Sequence, residues 1–384
     1  MVKTTILSLL IIIGVGMACA QKNVIEDKDL PIDKNATAET IALYSNLKKL
    51  AKTNILYGHQ DDLAYGHDWW AEPGRSDVKE VTGSYPAVYG WELGDIRQGV
   101  EANLDSVNFE SMKGWIKEAY SRGGINTISW HMNHPVTDGN TWDMTPAVSE
   151  IIPGGSQHEK FVSWLDIFAD FINELKGDNG EAIPIIFRPY HEHTADWFWW
   201  GEKQTTVEEY VTLWRFTVEY LRDEKQLHNL LYAYSPDGGS KDRRDKYMEK
   251  YPGDDYVDIL GYDEYGSFMD GKNDVEALSN ALASIVEEAD KRNKIAALTE
   301  TGQEKIPSEK WFTESLLKAM TLNPKASEIS YVLTWRNANQ QRENREHFYS
   351  SYPGHSSAPD MIKFKDTEIM FFEDDLPNMY TLNN

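Results

Sequence analysis

The sequence predicts a single α/β domain, a (β/α)8 TIM barrel, and three observations support this prediction. Short β-branched or aromatic runs alternate along the chain with amphipathic stretches whose apolar residues recur every three or four positions. From Thr37 onward, no Pro-rich linker, repeat or change of composition marks a second domain. The 384 residues exceed one ordinary core but suit a barrel. A doubly wound open sheet is the alternative architecture.

Eight runs are predicted as strands because they are short, apolar and nearly continuous, as parallel strands buried on both sides usually are. In chain order they are Asn54 to Gly58, Tyr85 to Trp91, Ile125 to His131, Ile183 to Pro189, Asn229 to Ser235, Val257 to Tyr262, Lys294 to Thr299 and Ile329 to Trp335. Amphipathic stretches connect them, for example Phe161 to Leu175 and Val207 to Leu221, and we expect these to be helices.

Charge and cysteine content exclude several classes of function. Lys and Arg number 38 against 62 Asp and Glu, a net charge of −24. Such a surface repels phosphate backbones and anionic lipid headgroups, so we expect no nucleic-acid partner. The single cysteine rules out an internal disulfide and a thiolate metal cluster.

The first twenty residues have the layout of a secretory signal. Lys3 precedes an uncharged apolar run from Ile6 to Ala20, which is too short to span a bilayer. We therefore expect a signal peptide over 1–20, a polar tether over 21–36, the catalytic domain over 37–384, and export to the periplasm or the medium. Cleavage before Gln21 would release the chain, whereas cleavage before Cys19 would leave a lipid anchor.

Polar and aromatic residues follow the predicted strands, where a barrel gathers them at one mouth. Glu192 and Glu300 follow the fourth and seventh strands. Two carboxylates facing each other across a cleft can hydrolyse an acetal, one protonated and one ionised. Aromatic rings near them suit the C–H faces of sugars. For either glutamate alone, a salt bridge or a helix cap is the simpler interpretation.

The segment Arg188-Pro189-Tyr190-His191-Glu192-His193-Thr194-Ala195-Asp196-Trp197-Phe198-Trp199-Trp200-Gly201 resembles the acid/base signature of glycoside hydrolase family 26, the β-mannanases. The resemblance extends over residues 37 to 370. It includes Gly58-His59-Gln60, Ser129-Trp130-His131, Asp263-Glu264-Tyr265, Thr299-Glu300-Thr301-Gly302 and Thr334-Trp335-Arg336-Asn337.

This resemblance implies a retaining hydrolase of β-1,4-mannan, galactomannan or glucomannan, either endo-acting or mannobiose-releasing, that works as a monomer without metal or cofactor. Glu192 would be the general acid/base and Glu300 the nucleophile. We expect the aromatic setting of Glu192 to raise its pKa and the Tyr265 hydroxyl to donate to Glu300. The resemblance implies substrate contacts from His131, His191, Trp197, Asp263, Tyr265, Trp335 and Arg336. Glu92 and Asp95 are rim residues without an assigned role, and His134 departs from the family pattern.

Three alternatives remain open. A metal hydrolase could use His191 and His193, but strand alternation would turn both away from Glu192, and no further ligand set is evident. A binding protein could keep the cleft without chemistry, although both candidate carboxylates are present. A β-glucanase or β-xylanase of the same family is the third alternative.

Overall fold

The computed structural model describes Met1 and residues 30–97 and 99–382. The predicted signal peptide, Cys19 and most of the predicted tether therefore lie outside the described residues. The last residues of that tether pack on the barrel, because the Ile32 amide donates to Asp258 Oδ1 and Asp33 contacts the ring of His228. Among the described residues, no helix has the length and apolar character needed to cross a membrane.

Eight parallel strands close into a barrel, with helices between successive strands, so the predicted architecture is confirmed. Closure comes from the pairing of the first barrel strand with the last, Leu56 beside Tyr331 and His59 beside Thr334. All eight predicted strands form, each within a few residues of its expected bounds. The strands are β1 Ile55–Gln60, β2 Tyr65–Gly66, β3 Trp69–Trp70, β4 Val88–Glu92, β5 Ile125–Ser129, β6 Ile185–Arg188, β7 Leu230–Tyr234, β8 Ile259–Glu264, β9 Ile295–Thr301, β10 Tyr331–Thr334 and β11 Met370–Phe371.

The helices lie outside the barrel and at its ends. They are α1 Ala38–Leu50, α2 Asp77–Thr82, α3 Phe109–Ser121, α4 Val148–Ile151, α5 His158–Glu174, α6 Val207–Glu219, α7 Lys241–Asp245, α8 Val275–Arg292, α9 Lys318–Thr321, α10 Gln340–Glu343 and α11 Ala358–Lys365. Short π-helical turns span Tyr220–Glu224 and Trp311–Leu317, and 3-10 turns span Asp254–Tyr256, Pro324–Glu328 and Glu373–Asp375.

Three short strands were not predicted. β2 and β3 form an antiparallel hairpin in the loop after β1, and β11 pairs with the start of β1. Each is only two residues long, too short for alternation or an apolar run to register in the sequence. β11 brings the end of the chain back to the barrel at Ile55 and Leu56.

One face of the barrel strands forms a cluster that is sealed by α1. Each of the eight barrel strands contributes to it, and Leu43, Tyr44 and Leu47 of α1 pack into the same cluster. Leu43 and Leu47 have no exposed surface. Because α1 precedes β1 and covers the amino ends of the strands, the carboxyl ends remain as the open mouth.

The helix α6 shows how the outer layer is specified locally. Thr206 caps its amino end and forms a capping box with Glu209, and Tyr210, Leu213 and Trp214 are buried along one face. The reciprocal side-chain bonds satisfy amide groups that the helix itself leaves free. The capping box fixes where α6 starts. It thereby fixes the position of Tyr210, which packs against the segment that follows β6.

Candidate active site

Glu300 lies near the end of β9 with both carboxylate oxygens bonded. The Tyr265 hydroxyl donates to Glu300 Oε1 at 2.7 Å, and Arg188 Nη2 donates to Oε2. Glu300 is 5 % exposed. A guanidinium and a phenol directed at the same carboxylate stabilise its negative charge and hold it in one orientation. Such a group is prepared for nucleophilic attack.

Arg188 joins two carboxylates beneath the mouth. Its Nη1 donates to Asp263 Oδ2 at 2.6 Å, and its Nη2 donates to Glu300 Oε2. Asp263 has no exposed surface, and its Oδ1 accepts from Ser235 Oγ at 2.6 Å and Thr299 Oγ1 at 2.7 Å. Burial raises the pKa of Asp263, against the opposing pull of Arg188. Asp263 therefore supports Arg188 from below, where it has no surface open to the cleft.

Glu192 lies four residues beyond the end of β6, in a turn with unusual backbone geometry. Tyr190 and Glu192 have φ of 48° and 56°, the left-handed region that residues other than glycine seldom adopt. The turn is held from several sides, since Glu192 N donates to Ser235 O and Tyr210 Oη to Tyr190 O. Strained backbone of this kind is common where a side chain must be aimed into a site.

The surroundings of Glu192 favour its neutral form. Burial raises the pKa of Glu192 well above its usual value, and the negative charges of Glu300, Asp237 and Asp263 raise it further. The Trp197 indole donates to Glu192 Oε2 at 2.6 Å and opposes this shift. Two glutamates of the same chemistry thus have different surroundings, one held by Arg188 and Tyr265 and one kept from ionising by its acidic neighbours.

His131 forms a buried pair with Glu92. Glu92 Oε2 contacts His131 Nδ1 at 2.7 Å, and Oε1 accepts from the His131 amide at 2.7 Å. Burial would raise the pKa of Glu92, but the charge of His131 and its hydrogen bonds bring it below the usual value. Burial likewise would lower the pKa of His131, but Glu92 raises it. The pair fixes the imidazole in one orientation at the cleft.

His191 and His193 face different surroundings. The His191 ring meets the His131 ring edge-on at 4.6 Å, and neither of its nitrogens has a hydrogen-bond partner among the described residues. His193 lies between the hydroxyls of Tyr210 and Tyr234, at 2.9 and 3.0 Å. Burial lowers the pKa of both rings. The expectation that they face one way was wrong, because β6 ends at Arg188 and strand alternation stops there.

The two glutamates line one cleft of about 800 Å³ at the carboxyl ends of the strands. Of the other sequence-predicted residues, the cleft is also lined by His131, Trp197, Tyr265 and Trp335. The Trp335 amide donates to Thr301 O, and its ring lies 6.1 Å from the His131 ring. A cleft lined by aromatic rings and carboxylates suits a carbohydrate chain.

Arg336 lies apart from this group and is already engaged. Its guanidinium donates to both oxygens of Glu343, at 2.7 and 3.0 Å, and its Nη2 lies 2.9 Å from Asp105 Oδ1. Only 4 % of Arg336 is exposed. The described structure thus uses Arg336 to join the loops after β4 and β10.

His134 has a local structural role. Its Nδ1 lies within hydrogen-bond distance of the amides of Val136 and Thr137, and its Nε2 contacts Thr145 O at 2.8 Å. Both ring nitrogens are thereby used within the loop.

Sequence reasoning assigned no role to several residues that build the site. Arg188 is the clearest, and a signal was present, since an arginine that ends an apolar strand must find a buried acidic partner. Glu92 was left without a role because its pairing with His131 spans separate strands. Other cleft-lining side chains without a sequence signal are Trp142, Asp237, Arg243 and Tyr349, whereas Phe198 lies within the signature segment but was given no role.

Comparison with known proteins places the chain among glycoside hydrolases. Residues 32–353 match the family described as Glycosyl hydrolase family 26. A mannan endo-1,4-beta-mannosidase of Bifidobacterium adolescentis is 38% identical over 353 residues, which are 87% of this chain and 34% of that protein. This chain thus spans about a third of that relative. A mannan endo-1,4-beta-mannosidase of Bacillus subtilis is 28% identical, over 74% of this chain and 80% of that one.

Among solved structures, a GH26 β-mannanase from Bacteroides ovatus superimposes with a TM-score of 0.84. It is 43% identical and the match covers 90% of this chain and 98% of that one. The residues that match the family, 32–353, include both Glu192 and Glu300.

Proposed function

The chain belongs to glycosyl hydrolase family 26, and from this premise we propose that it hydrolyses β-1,4-mannosidic bonds in mannan, galactomannan or glucomannan with retention of configuration. The observation that carries the proposal is the contrast between two glutamates in one cleft. Glu300 accepts from Arg188 and Tyr265, while burial and three neighbouring acids raise the pKa of Glu192.

The contrast supports a division of the two roles in a double displacement. Glu192 donates its proton to the glycosidic oxygen as that bond breaks, and Glu300 attacks the sugar carbon to form a glycosyl-enzyme. A water molecule then attacks the same carbon, gives its proton to Glu192 and releases Glu300. Glycosylation removes the negative charge of Glu300. Glu192 is then ionised more easily, which suits its second role as base.

The remaining residues of the cleft bind and orient the sugars. His131, oriented by Glu92, and Trp335 line the cleft with Glu300, and Trp197 donates to Glu192. We propose that the sugar under attack lies between His131 and Tyr265, and that the departing sugar lies beside Trp197. His191, whose ring nitrogens have no partner in the described part of the chain, is a further candidate for a sugar hydroxyl.

We also propose that the protein is exported through its first twenty residues and acts as a monomer in the periplasm or outside the cell. The apolar run from Ile6 to Ala20 supports export, and Cys19 offers a lipid anchor as the alternative outcome. Mass measurement of the mature amino terminus distinguishes a chain beginning at Gln21 from a lipidated chain beginning at Cys19.

The experiment that tests the activity is a reducing-sugar assay on linear mannan, galactomannan, glucomannan, cellulose derivatives and xylan, with and without a chelator. We expect rapid release from the mannans that survives chelation and little from the other polymers. Faster release from a glucan or xylan would replace the proposed substrate. No release from any polymer would favour a binding protein, and loss on chelation would favour a metal hydrolase.

A further inference from the structure

Arg243 is a charged residue of the cleft that the mechanism above does not use. It lies on α7, after β7, and lines the same cleft as Glu192 and Trp197. Its guanidinium carbon lies 4.6 Å from the centroid of the Trp197 ring, and its Nη1 donates to Asp237 Oδ1 at 2.6 Å. Asp237 is 3 % exposed and also lines the cleft. Two contacts thus fix the guanidinium at the wall.

The guanidinium keeps donors that the protein does not use. An arginine carries five N–H groups in a planar fork. Within residues 30–97 and 99–382, Nη1 of Arg243 donates a side-chain hydrogen bond, whereas its Nε and Nη2 have no acceptor. The side chain is 29% exposed, so part of it faces the open cleft. Donors held in place and left free at a cleft wall are suited to a polar ligand.

The position of Arg243 indicates which part of the substrate it meets. The oxygen that Glu192 protonates belongs to the departing sugar, which must therefore lie beside Glu192 and the indole bonded to it. Trp197 bonds to Glu192 Oε2 at 2.6 Å and lies against Arg243. Building on the proposed mannan hydrolysis, we propose that Arg243 donates hydrogen bonds to the hydroxyls of the departing sugar or of the sugar next to it.

The chemistry of the pair fits an uncharged ligand. Asp237 balances the charge of Arg243, so the wall presents directed donors rather than a net positive charge. A planar fork can donate to two neighbouring hydroxyls at once, which the single point charge of a lysine cannot reproduce. Arg243 is thus a residue that determines how strongly the enzyme holds the leaving side of the chain.

The test compares two substrates that differ only on the leaving side. Manno-oligosaccharides place sugars beside Arg243, whereas an aryl β-mannobioside with a good leaving group places none. For Arg243→Gln we expect kcat/KM on manno-oligosaccharides to fall about tenfold, the loss of one or two hydrogen bonds, and kcat/KM on the aryl substrate to change less than about threefold.

Two further variants define the interpretation. Arg243→Lys keeps a positive charge near Trp197 and Asp237 but lacks the fork, so it should show most of the loss seen with Arg243→Gln. Lys241→Gln alters an exposed residue of the same helix that pairs with Asp245, and should behave like wild type on both substrates.

Equal losses on the two substrates would overturn the inference, because they would mean that the effect of Arg243 does not depend on sugars at the leaving side. A shift of the alkaline limb of kcat/KM on manno-oligosaccharides to higher pH in Arg243→Gln would overturn it too, because it would mean that Arg243 acts by holding Trp197 against Glu192. No loss on either substrate would overturn it as well. A wild-type enzyme that cleaves neither substrate would contradict the proposed function, and the inference with it.

Discussion

Single residues set the protonation of this site. Glu192 and Glu300 have the same side chain, but one is surrounded by acids and an indole and the other by a guanidinium and a phenol. Arg188 is central to this difference because its guanidinium group binds both Asp263 and Glu300. These contacts give the two carboxyl groups different surroundings in one cleft, as the proposed roles of acid/base and nucleophile require.

Glu192→Ala should separate substrates by their need for a proton. We expect turnover of mannan, whose leaving group is a sugar alkoxide, to fall by a factor of about 10² to 10⁴, and turnover of dinitrophenyl β-mannobioside to fall much less. Steady-state rates on both substrates provide the measurement. Equal losses would remove Glu192 from the acid role.

Trp197→Phe should shift the pH profile in a defined direction. Glu192 must be protonated for the first step, so activity is lost as pH rises through its raised pKa. The Trp197 bond opposes that rise, and without it the pKa of Glu192 goes up further. The alkaline limb of kcat/KM on manno-oligosaccharides should therefore move to higher pH. Trp142→Phe, which alters another aromatic residue of the cleft, should leave the limb in place. A shift to lower pH in Trp197→Phe would contradict this assignment.

At the scale of elements, the turn after β6 is the piece that aims Glu192. Its two left-handed residues are held by Ser235, which directly follows β7, and by Tyr210 of α6. His193 forms the buried link between Tyr210 and Tyr234 of β7. These contacts connect the outer helix layer to the mouth of the barrel. The turn is therefore held in place by the elements around it.

His193→Phe should loosen this turn without removing a group that touches substrate. Two buried tyrosine hydroxyls each lose a partner, so we expect unfolding free energy to fall by about 1 to 3 kcal/mol. A displaced Glu192 should reduce turnover of mannan more than turnover of dinitrophenyl β-mannobioside. Denaturant unfolding and the two rates are the measurements. An equal fall in both rates would mean that His193 has only a structural role. Tyr234→Phe keeps the contact between His193 and Tyr210, so its loss of stability and of mannan turnover should be smaller.

The barrel strands could be predicted from sequence because each is an apolar run that its neighbours bury on both sides. Glu192 and Glu300 could be predicted because the mouth of a barrel collects the residues that come after those runs. The turn at Tyr190 could not, since nothing in the pattern Tyr-His-Glu-His signals left-handed backbone. The hairpin at Tyr65 and Trp70 and the return strand at Met370 are too short to leave a periodic pattern. The engagement of Arg336 by Asp105 and Glu343 depends on how two loops meet, which residue spacing does not encode.

At the scale of the whole molecule, the barrel is sealed at one end by α1 and open at the other, so the chemistry is confined to one mouth. The protein has a net charge of −24, whereas its cleft is suited to an uncharged polymer. The field of the protein therefore would not attract such a polymer, and the binding proposed here rests on stacking and hydrogen bonds.

Salt should accordingly have little effect on activity. Between about 10 mM and about 0.5 M sodium chloride, surface charges become screened, but no charge on the substrate responds. We expect kcat/KM on linear mannan to change less than about twofold across this range. A steep dependence on salt would show that an ionic contact with substrate, or an ionic link between loops such as Arg336 to Asp105, controls the rate.

The most direct test of the central claim, that Glu300 attacks the sugar while Glu192 supplies the proton, is to trap the glycosyl-enzyme. An activated 2-deoxy-2-fluoro mannobioside slows release of the intermediate, and mass spectrometry of the digested protein locates the attached sugar. The account predicts one sugar adduct on the peptide that contains Glu300. An adduct on Glu192, or inactivation with the label on any other residue, would contradict it.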